Sequence, residues 1–336
     1  MVRREAQSSA GIVSALKYII ALFTMASLLM SGACGASGNK GPLPSASKTS
    51  GTAALKKGPI RVVASVNQWG LLAQQLGGTQ VQVTSILRNT NVDAHDFSPT
   101  SSDISTVTNA QVLVVNGAGY DSWATKPSTK ALSTVNAAST IGAEAGDNPH
   151  LWFSSDVRAK VAQSIRDAYI SALPSQKDYF TKLYDQWKAK EESLKKVIAR
   201  FAKKYSGKPY AATESVAYYL MADLGLKDMT PKGYSTAMQN ESEPSAADLQ
   251  SFQTLIEQHR VRLVISNPQE GSDAVNMVLG TAGRADVPVV EVTEQVPDKY
   301  KTLDEWITAL TGDFTKAMES SKNNEVPDTA ASGNNA

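Results

Sequence analysis

Residues 178–205, DYFTKLYDQWKAKEESLKKVIARFAKKY, contain neither glycine nor proline and place apolar side chains at Leu183, Trp187, Leu194, Ile198 and Phe201. Steps of three, four and seven return side chains to one helical face, so the stretch reads as one helix with one buried stripe. At 1.5 Å per residue, 28 residues span about 42 Å, longer than a small domain needs. Such a helix is either a coiled-coil segment or a strut. One isolated copy reads more simply as a strut between two folded lobes.

The flanking sequence agrees. On the N-terminal side IRVVASV (60–66) is β-rich, QWGLLAQQLGG is a helix closed by glycine, and VQVTSIL (81–87) is a second strand. TSSDISTVTNA then makes a short helix before QVLVVNG (111–117), and 116–148 reads as loop, rich in Gly, Ala, Ser and Thr. This is the βαβ rhythm of a parallel sheet covered by helices. The rhythm restarts after the strut, with KPYAAT, the helical ESVAYYLMADLGL and PSAADLQSFQTLIEQH, strand VRLVIS (261–266), a further helix, and strand VPVVEVT (287–293). SPTSSDI (98–104) and EPSAADL (243–249) form a weak internal repeat, the second opening with Ser245 and Asp248 in a capping-box-like start. The expected fold class is therefore α/β: two similar lobes, each a parallel sheet flanked by helices, joined by one long rigid interlobe helix.

The N-terminus reads as an export signal. Arg3, Arg4 and Lys17 precede the apolar run YIIALFTMASLLM (18–30) and the small-residue stretch SGACGASG. Cys34 follows Gly32 and Ala33, which resembles a bacterial lipobox with Ser31 where Leu is usual; Ser31 and Ala33 equally suit an ordinary signal peptidase site. Residues 35–58 are Gly/Ser/Pro/Lys-rich, as in a flexible tether. The expected organisation is a signal peptide at 1–33, a tether at 34–58, an N-terminal lobe at 59–176, the interlobe helix at 177–205, a C-terminal lobe at 206–318 and a disordered tail at 319–336.

A formal net charge of +1 gives no electrostatic argument for nucleic acid or acidic membrane surfaces. A single cysteine excludes an internal disulfide framework and a thiolate metal cluster. Histidine is the informative residue, with three copies in 336 residues. His95 lies between two acids in NVDAHDFSP, just before an aromatic and a proline, and His150 lies in DNPHLWF, with an acid and a proline before it and aromatics behind. Histidine is the commonest side-chain metal ligand near neutral pH. Open α/β sheets bind ligands beyond the carboxyl ends of their strands. His95 follows strand 81–87, His150 the loop after strand 111–115, Glu214 the segment KPYAAT, and Glu294 strand 287–293, giving two metal-capable residues per lobe. His259, at a helix end in IEQHRVRL, reads as a surface residue outside this set.

Over roughly residues 59–315 the chain resembles the zinc/manganese-type metal solute-binding proteins of bacterial ABC transporters. NVDAHDFSPTSSDI looks like that family's first ligand motif, Asp-Pro-His followed by an aromatic and a proline, with Ala94 in place of the usual proline. AQVLVVNGAGYDSW is similar to its Ala-Asp-aliphatic-Asn-Gly segment, NPHLWFSSD to its second ligand motif, usually Asp-Pro-His-aliphatic-Trp, and EPSAADL to its Glu-Pro-Ser segment. The resemblance implies one divalent metal between the lobes, held by His95, His150, Glu214 and Glu294, with Glu291 an alternative to Glu294. It also implies an exported protein, lipid-anchored through Cys34, that is monomeric and hands its metal to an ABC permease and its ATPase. Two imidazoles and two carboxylates form a harder donor set than three imidazoles, which leans towards Mn²⁺ over Zn²⁺, with Fe²⁺ behind.

Other classes are weaker. A metallohydrolase needs an open metal position and a nearby general base, and the chain has no H-E-x-x-H motif. A surface adhesin or structural lipoprotein with incidental metal is the remaining alternative.

Overall fold

The structure, a computed structural model, describes residues 58–321 apart from Asp93, His95, Asp96, Ser128 and Thr129. The export signal, Cys34, the tether and most of the tail lie outside the described residues, as does His95. No helix among the described residues is long and apolar enough to cross a membrane.

The first lobe runs β1 (Ile60–Val66), α1 (Asn67–Gly77), β2 (Val81–Leu87), α2 (Ser101–Thr108), β3 (Val112–Val115), α3 (Ser122–Thr125), β4 (Ser133–Asn136) and α4 (Ser155–Ala172). The long helix α5 (Lys177–Tyr205) follows. The second lobe comprises β5 (Pro209–Ala212), α6 (Tyr218–Asp223), β6 (Lys227–Asp228), α7 (Lys232–Gln239), α8 (Ala246–Glu257), β7 (Val264–Ser266), α9 (Asp273–Arg284) and β8 (Val289–Glu291), before α10 (Leu303–Ser320). All strand pairs are parallel, ordered β2-β1-β3-β4 in one sheet and β6-β5-β7-β8 in the other. The two lobes share one topology, and each has its switch point between its first and third strands.

Alternation along β1 and β3 explains how helices cover both faces of the first sheet. Val62, Ala64, Val66, Val112 and Val114 pack towards α1, α4 and α5, while Val63, Leu113 and Val115 join Val107 of α2 and Ala124 of α3. In the second sheet Ala211 and Val264 face α7, α8 and α9, and Tyr210, Ala212 and Ile265 face the main core. That core passes without a break from one lobe to the other through Trp187, Leu194, Ile198 and Phe201 of α5 and Trp306 and Phe314 of α10. Helix α10, beyond the last strand, returns along α5 and sets Trp306 against Phe153 of the first lobe, ring centroids 5.1 Å apart.

The internal repeat has a structural counterpart. Thr100 and Ser245 each accept a bond from the backbone N–H three residues on, at Asp103 and Asp248. The helices they cap, α2 and α8, lead into β3 and β7, the third strand of each sheet. Residues 116–148 are not the uninterrupted loop that their composition implies, since they include α3 and β4. β4 is a four-residue edge strand, STVN, with only Val135 buried, too short and too polar to show periodicity. The apolar runs 261–266 and 287–293 contribute three strand residues each.

Candidate metal centre

The carboxyl ends of the strands face a cleft of about 810 Å³ between the lobes, lined by Phe97, Tyr120 and His150 on one side and Glu214, Met238 and Pro244 on the other. Among its described lining residues six are acidic and none is Lys or Arg. His150, Glu214 and Glu294 meet in this region, with one donor atom from each within 4.8 Å of the others. His150 Nε2 lies 3.5 Å from Oε1 of Glu214 and 3.5 Å from Oε1 of Glu294. Donors 2.0–2.2 Å from one ion at a tetrahedral angle stand about 3.4 Å apart, so the spacing admits a single small cation. His150 and Glu294 are buried, and Glu214 is partly exposed.

Each donor is set by its surroundings. The Nδ1 of His150 is 3.0 Å from Oδ1 of Asn148, which also accepts from the His150 backbone N–H at 3.0 Å. An Nδ1–H held this way places the Nε2 lone pair towards the carboxylates. Asn148 donates in turn to the carbonyl and hydroxyl of Ser215, at 2.9 and 2.8 Å, across to the other lobe. Asn267, directly after β7, donates to Oε2 of Glu214 at 2.7 Å. Tyr120 donates to Oε2 of Glu294 at 2.6 Å. Burial first, then the charge of Glu294, holds the Tyr120 phenol well above its ordinary pKa, so it remains a donor. Backbone groups of Glu294 bond Gln68 and Gln269.

Tyr120 reaches the site because the turn after β3 is left-handed at Gly117, Ala118 and Gly119, with φ of 78°, 52° and 87°. A Cβ on Gly117 would stand 2.3 Å from Oδ1 of Asn136, so glycine is required there. Asp121 closes the turn by accepting from the backbone N–H groups of Asn116 and Gly117 at 2.6 and 2.8 Å. Behind His150, the buried Arg158 donates through Nη1 to the Trp152 carbonyl at 3.0 Å and through Nε to Glu191 of α5 at 3.1 Å. Glu191 is the one charged residue in the buried stripe of α5. The turn that carries His150 is thereby tied to the long helix.

Three of the four residues singled out in the sequence therefore converge, and His95 lies outside the described residues. Glu291, the alternative to Glu294, is exposed at the end of β8, away from the cluster. Tyr120, Asn148 and Asn267 escaped the sequence reading. The available signals were the position of Asn148, two residues before a candidate ligand, and that of Tyr120 within the family-like segment AQVLVVNGAGYDSW; for Asn267 there was none.

Residues 62–317 match the family model described as zinc-uptake complex component A, periplasmic. The chain belongs to this family. Within it, the chain is similar to the high-affinity zinc uptake system protein ZnuA of Bacillus subtilis (strain 168), 26% identical over 242 residues, 65% of this chain and 74% of that protein. It is also similar to the manganese-binding lipoprotein MntA of the same organism, 23% identical over 235 residues, 66% and 74% of the two chains. Among solved structures, the periplasmic zinc binding protein TroA from Treponema pallidum shares the fold with a TM-score of 0.65 at 18% identity, over 78% of this chain and 99% of that one.

Proposed function

We propose that this member of the zinc-uptake component A family is the extracytoplasmic substrate-binding component of an ABC importer. It captures one divalent transition metal, Zn²⁺ or Mn²⁺, between its lobes and delivers it to a membrane permease driven by its ATPase. The observation that carries the reading is the convergence of His150 from the first lobe with Glu214 and Glu294 from the second. His95, which follows β2 in the sequence, completes the set as fourth ligand. Four protein donors leave little room for a substrate water, so the site binds and releases rather than catalyses. The acidic cleft raises the local concentration of cations at its mouth. The protein acts as a monomer, exported by residues 1–33 and held at the membrane through Cys34 and its tether.

Native mass spectrometry of protein purified from its own cell envelope tests the reading. One tightly held metal per chain, lost on His95→Ala, His150→Ala or Glu214→Ala, is the expected result. A wild-type chain without stoichiometric metal rejects it.

A further inference from the structure

The two carboxylates in the cluster are held in the same way. Each turns Oε1 towards His150 Nε2 and gives Oε2 to a neutral donor: Tyr120 for Glu294, Asn267 for Glu214. The two donors come from different lobes, one from the left-handed turn after β3 and the other from the end of β7. Neither is placed loosely. The Asn267 amide is oriented by its own Oδ1, which accepts from the Gln269 backbone N–H at 3.0 Å, so its NH₂ must face Glu214. The Tyr120 ring packs edge-on against Trp152, centroids 5.4 Å apart, and lies 6.2 Å from the His150 ring.

We propose that Tyr120 and Asn267 are specificity-determining residues, which restrain Glu294 and Glu214 to one metal-facing oxygen each and so favour a four-coordinate cation such as Zn²⁺ over one that seeks more oxygen ligands, such as Mn²⁺. The inference rests on the metal-capture reading and deepens it. A carboxylate becomes bidentate only by swinging its second oxygen towards the ion, which here stretches a charge-assisted hydrogen bond. Zinc needs no such movement, because tetrahedral coordination takes one atom from each of four side chains. Manganese sits in octahedral, oxygen-rich surroundings, and in a site of four side chains it gains those contacts largely from bidentate carboxylates. The 3.5 Å spacing of His150 Nε2 from each Oε1 agrees with this. For these two donor pairs the spacing lies nearer to the roughly 3.4 Å of a tetrahedral angle than to the roughly 3.0 Å of a right angle. The carboxylate-rich donor set and its hydrogen-bonded restraint thus pull the preference in opposite directions, and the two neutral donors tune the balance.

Chelator-competition titrations with Zn²⁺ alone and Mn²⁺ alone, on the full chain and on Tyr120→Phe, Asn267→Ala and the double variant, test the proposal. Each single substitution is expected to lower the zinc-to-manganese affinity ratio about tenfold, the scale of one charge-assisted hydrogen bond. Ratios unchanged in every variant overturn it. X-ray absorption at the zinc edge of the loaded wild-type protein supplies a readout independent of any variant's folding: four-coordinate zinc with one oxygen from each carboxylate is expected, and a bidentate carboxylate overturns the proposal. Wild-type protein that binds neither metal fails the capture reading itself, whereas tight binding with an unchanged ratio fails only the inference drawn from Tyr120 and Asn267.

Discussion

The side-chain amide of Asn148 bonds both the carbonyl and the hydroxyl of Ser215, so the residue that orients the His150 ring is itself anchored beside Glu214 on the opposite lobe. The family motif usually has Asp here. A carboxylate serves the imidazole equally well, but it has no N–H to give to Ser215. The asparagine couples the histidine to the second lobe as well as orienting it. Asn148→Ala is expected to weaken Zn²⁺ binding about 10–100-fold with the fold intact, measured by chelator competition and circular dichroism. Asn148→Asp restores the imidazole partner and should recover part of that loss. Unchanged affinity in Asn148→Ala contradicts the role.

The Arg158–Glu191 pair is almost fully buried and spans α4 and α5. Removing one partner leaves a charge in an apolar core, so Arg158→Met or Glu191→Leu alone should cost about 3–5 kcal/mol in urea unfolding. The double substitution should cost clearly less than the sum of the two. Strict additivity would show that the pair does not act as a unit.

Burial raises the Asp121 carboxyl above its ordinary value of 3.8, against the lowering effect of the Ser65 hydroxyl and of the backbone donors of Asn116 and Gly117. The folded state therefore holds this proton more tightly than the unfolded chain does. The sign follows from linkage: the contribution of the group to stability is fully present below the unfolded value and is lost as pH rises through the raised folded one. The stability of wild type minus that of the non-titrating Asp121→Asn should accordingly fall as pH rises from about 4. Urea unfolding at a series of pH values checks it, and a difference that grows with pH is the contrary result.

Metal capture should move the lobes little. Helix α5 has no Pro or Gly to kink at, and one continuous core joins both sheets through α5 and α10. Small-angle scattering with and without Zn²⁺ should give nearly superimposable curves. A pronounced compaction on loading would show that the lobes hinge.

Most of the architecture was written in local pattern. The 3.6-residue period of α5, the two-sided apolar runs of β1 and β3, and the caps at Thr100 and Ser245 are each decided within a dozen residues, and they suffice for two parallel-sheet lobes on a strut. Histidine scarcity and strand-end position likewise marked His150, Glu214 and Glu294. What the chain alone could not decide depends on neighbours distant in sequence. β4 is a strand because β3 lies beside it, and Glu191 is tolerated on the buried face of α5 because Arg158 meets it there. Tyr120 and Glu294, 174 residues apart, become partners only when two sheets present their carboxyl ends to the same cleft. Local sequence determines most of the elements, because side-chain periodicity and helical hydrogen bonding are short-range. The positions of the donor atoms, and the groups that hold each carboxylate, follow only once the lobes are packed.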